Sequence, residues 1–299
     1  MKTYMAIDAG GTYLKSALVN AEAGILMGSD FKTRSYSEGT KENIVEAYKK
    51  TLTNSLYYVT KNGLKIDGIG IATPGPFDYE NGIPLMKHKF SNIYGLNLRE
   101  LICEFARVSK DIPVVFMHDA NAALTGEIWK GNAKGYKNAS LITLGTGLGF
   151  SFSQNGEVQY CSNGGPAVSI YALPCMNGIV EDYVSKRGIL DIYREINGNQ
   201  EAELEITEIG ILADKGDKAS IETFSEAGRI LADSVFNILK DKNIHCLLLG
   251  GQISRSYHHM EKSLKAGLKG LVSLEKISLA KNLDTAAFIG VLWEVLKKA

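Results

Sequence analysis

Asp8, Gly10, Gly11 and Thr12 interrupt an otherwise apolar extended stretch, AIDAGGTYLKSALV, at residues 6–19. A Walker-type loop or the first turn of a dinucleotide fold would open a helix here. Instead Leu14, Ser16 and Leu18 alternate with Lys15, Ala17 and Val19, so a second strand follows and the break is a hairpin turn. Gly10 and Gly11 are expected to take positive φ and leave no side chain in the way. Successive N–H groups can then face outward into an anion-binding concavity, to which Thr12 adds a hydroxyl. Asp8, at the strand end, is placed to hold a metal ion or its waters. A second break, Gly145-Thr146-Gly147-Leu148-Gly149, separates two further apolar stretches, and LLLGGQIS at 247–254 is a third strand-to-glycine junction. There Gly250 and Gly251 are small enough for an adenine or ribose ring to approach the backbone. Each break alone reads equally well as a tight turn, since Gly-Gly is a common hairpin signal. As a set, the first two read as loops that grip a polyphosphate from both sides.

The elements that carry these breaks are legible from periodicity. Apolar runs at 3–7, 14–20 and 68–75 predict strands. TKENIVEAYKKTLTNSLYYVTKNG places Ile44, Ala47, Tyr48, Leu52 and Leu56 at helical spacing and stops at Asn62-Gly63. A helix over 96–109, the strand IPVVFMHD and a helix over 120–130 complete a β-β-β-α-β-α-β order. The stretch 139–158 then repeats the opening theme, a weak internal repeat of the kind a duplicated domain leaves. Helices follow at about 179–197, 206–214 and 219–240, then the strand HCLLLGG, a helix near 257–270, the strand EKISLAK and a final helix. The fold class expected is α/β with two domains. The first comprises residues 1–118 plus about 286–299, and the second 119–285.

Composition narrows the function classes. A chain of 299 residues exceeds the roughly 100–200 of a single domain. Lys plus Arg equals Asp plus Glu, 33 each, which supplies no field to recruit nucleic acid or an acidic membrane surface. No signal sequence or membrane span is evident, so the expected location is the cytoplasm. Cys103, Cys161, Cys175 and Cys246 form no CxxC pair and are expected as reduced, mostly buried thiols. His258 and His259 read as surface residues on an amphipathic helix with no acidic or thiol partner nearby.

IDAGGTYLKSALV, GIATPGPFD, HDANAALTGE, ITLGTGLGFSF and LLLGGQIS together resemble the ROK family of sugar kinases and repressors, within the actin and hexokinase fold group. The resemblance runs from Met5 to the C-terminal DTAAFIGV. It implies two actin-like (ribonuclease H-like) domains with a nucleotide and sugar cleft between them. It further implies ATP with Mg²⁺ as the phosphoryl donor, a small-molecule sugar as acceptor, and a homodimer. Phosphate and nucleotide contacts would fall on Asp8, Gly10, Gly11, Thr12, Lys15, Gly145, Thr146, Gly147, Gly250 and Gly251, with Asp8 holding Mg²⁺ indirectly. Asp119, where the strand VVFMH meets the next helix, is the candidate general base, its bland alternative being a helix N-cap. Gly75, Pro76, Asn92, His118, Asp119 and Glu181 are the candidates for the sugar side.

The chain also departs from the family. Where Asn-Asp is usual it has His118-Asp119, and His118 reads equally as a packed strand end or a ligand contact. The family's Gly-Glu-x-Gly-His and the cysteine cluster after it are replaced by GGPAVSIYALPCMNGIVEDYVS. Pro166 and Ser169 stand near the places of the Glu and His, and only Cys175 remains of the cysteines. One thiolate and no histidine do not make a closed zinc site, so no structural zinc is expected. Glu181 matches the glutamate that the family directs to the sugar, against the alternative of a solvated helix residue. The leading expectation is an ATP-dependent hexose or N-acetylhexosamine kinase. A protein that binds sugar and nucleotide with weakened catalysis is the second. A repressor is the third, and it would need a DNA-binding domain ahead of a phosphate loop that already begins at Asp8.

Overall fold

A computed structural model describes residues 2–109, 111–198 and 204–299. In chain order the elements are β1 (Thr3–Ala9), β2 (Tyr13–Asn20), β3 (Phe31–Arg34), α1 (Lys41–Lys61), β4 (Ile66–Thr73), β5 (Phe77–Asp78), β6 (Ile83–Pro84), α2 (Leu98–Ala106), β7 (Val114–His118) and α3 (Asp119–Lys130). They continue with β8 (Ala139–Leu144), β9 (Leu148–Gln154), β10 (Glu157–Val158), β11 (Pro174–Cys175), β12 (Gly178–Ile179), α4 (Glu181–Val184), α5 (Lys186–Asn197), α6 (Ile206–Asp214) and α7 (Lys218–Asp241). β13 (Cys246–Gly250), α8 (Tyr257–Leu268), β14 (Lys276–Leu279) and α9 (Ala286–Lys298) close the chain.

The chain divides into two compact units. One is Met1–Lys130 with Tyr160–Ala167 and Thr285–Ala299; the other is Gly131–Gln159 with Val168–Asp284. In the first, the sheet order is β3-β2-β1-β4-β7, with β2 antiparallel to β1 and β3, and with β1, β4 and β7 parallel. In the second it is β10-β9-β8-β13-β14, with β9 antiparallel to β8 and β10, and with β8, β13 and β14 parallel. The two sheets share one topology, position for position, and the internal repeat is therefore structural. The central strands are buried on both faces and read as near-continuous apolar runs, as parallel strands covered by helices must.

The boundary expected at residue 118 falls after Lys130 instead. α3 packs on α9, and the reason is steric. At Gly126 and Gly290 a Cβ would overlap the main chain of Ala286 and Ala122, so glycine lets the two helix backbones touch. Gly68 and Gly70 of β4 do the same for Val295 and Val291 of α9, where a Cβ would come to 2.5 and 2.7 Å. α9 thereby fixes both β4 and α3, and with them the strand ends that carry the candidate site. The helix expected over 179–197 is broken at Ser185, which is extended (φ −83°, ψ 176°) and separates α4 from α5. Among the described residues no helix is long and apolar enough to cross a membrane.

Candidate functional site

In the first unit the candidate residues gather at the carboxyl ends of β1, β4 and β7, where open sheets of parallel strands place their ligands. The register aligns Asp8 with Ala72, and Thr73 with His118, so Asp8, Thr73 and the His118-Asp119 pair share one edge. Lys15 lies directly across from Asp8 on the hairpin, its Nζ 3.9 Å from Asp8 Oδ2. Asp8 is only a quarter exposed, and burial pushes its carboxyl up to about 6; Lys15 opposes the shift and the nearby Asp119 adds to it. At neutral pH Asp8 is therefore ionised at a cost that a cation would relieve.

The turn itself differs from the expectation of positive φ. Neither Gly10 nor Gly11 is left-handed. The last strand pair is Ala9 with Leu14, and Gly10 N–H donates to the Tyr13 carbonyl at 2.9 Å, so four residues span the turn without the mirror-image geometry of a two-residue hairpin. Ser35 and Ser37 hydroxyls both donate to the Gly11 carbonyl, at 2.6 and 2.5 Å, and Ser35 N–H donates to the Thr12 carbonyl at 3.0 Å. With its carbonyls tied back, the turn leaves the Gly11 and Thr12 N–H groups without a protein acceptor among the described residues. Lys89 closes over it: a Cβ on Gly11 would meet Lys89 Cδ at 3.1 Å and Nζ at 3.6 Å. Sequence reasoning missed Lys89, although the basic run Lys87-His88-Lys89 was visible.

Asp119 is the first residue of α3, its side chain 45% exposed. Its Oδ1 accepts the Ala120 N–H at 2.7 Å and lies 3.1 Å from Nδ1 of His118. The carboxylate thus binds its own helix start while remaining open to solvent. His118 is mostly covered and meets the Tyr79 ring edge-on, with centroids 6.2 Å apart. Tyr79, also missed from sequence, donates its hydroxyl to the Thr73 carbonyl at 3.3 Å, and burial raises its phenol above the ordinary value. Gly75 faces both residues: a Cβ there would lie 3.1 Å from the Tyr79 hydroxyl and 3.6 Å from His118 Cδ2. Pro76 and Asn92 are exposed, and the Asn92 amide donates to the Gly39 carbonyl at 2.8 Å.

In the second unit Leu144 pairs with Leu148 and the turn between them holds Gly145, Thr146 and Gly147, none left-handed. Gly145 N–H donates to the Gly147 carbonyl at 3.1 Å and its own carbonyl accepts from Lys186 N–H at 2.9 Å. Thr146 and Gly147 keep their N–H groups without a protein acceptor among the described residues, as Gly11 and Thr12 do. Glu181 is neither simply solvated nor wholly free: its Oε2 accepts the Leu148 N–H at 2.8 Å and would lie 2.9 Å from a Cβ on Gly147. Gly250 and Gly251 also have packing reasons. Gly250 is buried with Leu141 beside it, and Gly251 (φ 82°) turns where a Cβ would overlap Leu144.

Two sequence expectations change elsewhere. Only Cys246 is fully buried; Cys103 and Cys175 are half-buried and Cys161 is exposed. Cys175 lies in the β11–β12 hairpin with the Ser234 hydroxyl 3.8 Å from its sulfur. His258 and His259 do have an acidic partner, Asp214.

This pair of repeated sheets, each with a glycine turn between its first two strands, defines an actin-like α/β protein. The chain belongs to the ROK family, whose profile matches residues 4–298. It is 27% identical over 286 residues to a glucokinase of Halalkalibacterium halodurans, covering 88% of this chain and 84% of that one. With an N-acetyl-D-glucosamine kinase of Haemophilus influenzae it shares 23% over 313 residues, covering 96% and 97%. A ROK family glucokinase from Streptomyces griseus, solved with glucose and AMPPNP, superposes with a TM-score of 0.83 at 22% identity, covering 99% of each chain.

Proposed function

We propose that this protein is an ATP- and Mg²⁺-dependent sugar kinase that phosphorylates a hydroxyl of a hexose or N-acetylhexosamine. The observation that carries the reading is the matched pair of hairpin turns, each presenting two adjacent backbone N–H groups with no partner among the described residues, one of them next to the carboxylates of Asp8 and Asp119. Such donors suit the oxygens of a phosphate chain. The names and substrates of the relatives support the same class of reaction.

The donor set fits a magnesium nucleotide: a strained carboxylate at Asp8, two cationic side chains at Lys15 and Lys89, and main-chain donors. Mg²⁺, when bound, neutralises phosphate charge and orients the transferred group. The protein does the rest. Gly11 and Thr12, beside Asp8 and Lys15, donate to phosphate oxygens. Asp8 would hold the cation. Asp119 takes the proton from the attacking sugar hydroxyl as the new oxygen–phosphorus bond forms and the bond from the γ-phosphorus to the β–γ bridging oxygen breaks, releasing ADP, and His118 and Gly75 shape the space beside that hydroxyl.

A coupled ADP-release assay across hexoses and acylated hexosamines tests the proposal. One or more sugars should stimulate release, and Asp119→Asn should lower that turnover by roughly 10² to 10⁴ while leaving nucleotide affinity within a few-fold. Full turnover in the variant removes Asp119 from the role. The replacement of the family's Glu and His by Pro166 and Ser169 favours a second reading, sugar and nucleotide binding with little catalysis. Nucleotide binding without sugar-stimulated release on any member of the panel would establish it.

A further inference from the structure

We propose that Asp214, His258 and His259 form a divalent transition-metal site, of the zinc or nickel class, that pins the end of α6 to the start of α8. Consecutive residues on a helix project about 100° apart around its axis. Yet the Nε2 atoms of His258 and His259 both converge on Oδ1 of Asp214, at 2.7 and 2.9 Å. Asp214 is reached from 44 and 45 residues away, as the last residue of α6. The rings are also held in place. His259 is 13% exposed and stacks on Phe224 of α7, with centroids 6.0 Å apart and planes 22° apart. His258 lies against His259 at 4.0 Å.

Two neutral imidazoles and one carboxylate are a borderline-soft donor set suited to zinc, nickel or cobalt, and water completes the coordination. At metal–ligand distances of about 2.0–2.2 Å, tetrahedral donors stand about 3.3 Å apart. The present spacing must therefore open by about half an ångström, which the exposed Asp214 and His258 side chains allow. The ion takes the place of the two Nε2 protons, and each ring then carries its proton on Nδ1. Its mechanical effect reaches further than the surface. α6 also packs on the turn at 253–256, where a Cβ on Gly210 would lie 2.8 Å from the Ser256 hydroxyl. Binding thus braces the segment that follows Gly251.

The test is calorimetric titration of the full chain, freed of metal by a chelator, with zinc chloride and separately with nickel sulfate. One ion per chain should bind with a dissociation constant in the micromolar range. The apparent unfolding midpoint should rise by about 5 °C at a hundred-fold excess over that constant. Asp214→Asn and His258→Gln should each weaken binding at least ten-fold and abolish the midpoint shift, with the metal-free circular dichroism spectrum unchanged. No binding at about 100 μM metal, or binding that survives both substitutions, overturns the assignment; the latter places the ion on other donors.

Discussion

Asp8→Asn separates the stability of the first unit from its proposed chemistry. Burial holds the Asp8 carboxyl near 6 in the folded protein against 3.8 for the free side chain. The folded state thus binds the Asp8 proton more tightly than the unfolded chain does. Stability from this group is fully present below about pH 4 and is lost as pH rises to about 6, because the unfolded chain ionises first. Two pH units at about 1.4 kcal/mol each set the loss at about 3 kcal/mol at neutral pH. Asparagine keeps the shape and never ionises. The variant should match the native protein near pH 4 and exceed it by about 1–3 kcal/mol near pH 8 in denaturant unfolding followed by circular dichroism. Sugar-stimulated ADP release should fall by about 10² or more, since the amide cannot anchor the cation. A variant equally or less stable than the native protein near pH 8 refutes the burial argument. Undiminished activity refutes the metal-holding role.

Two other substitutions probe neighbouring features. Lys89→Met keeps the aliphatic stem over Gly11 and removes the ammonium, so the KM for the nucleotide should rise about ten-fold with folding unchanged; an unaltered KM removes Lys89 from phosphate contact. Gly290→Ala places a Cβ on the Ala122 carbonyl and should destabilise the first unit by about 3 kcal/mol or more, read as a lower denaturant midpoint.

The order of strands and helices along the chain and both glycine turns were legible because strand alternation and hairpin interruptions are local signals. The internal repeat at 139–158 translated directly into a second sheet of the same topology. What failed was whatever depends on distant partners. α3 was assigned to the wrong half because nothing in its own residues reveals that Gly126 lies against α9. Gly251 and Gly250 offered themselves as a ring platform, while packing against Leu144 and Leu141 already accounts for their lack of side chains. Glu181 was visible as a charge at a helix start, but its bond to Leu148 N–H, which braces the second turn, needed the fold. Asp214 and the two histidines illustrate the same limit: a pattern spread over 44 residues has no local periodicity to betray it.

Because α9 completes the first unit, the opening sheet leaves the ribosome long before its covering helix exists. Gly68 and Gly70 of β4 then expose a groove that stays vacant until Val291 and Val295 are made. The second unit's segments are all synthesised by Asp284, so the later-made half can mature first and the earlier-made half must wait for the final fifteen or so residues. A premature stop near the end would therefore injure the beginning of the protein.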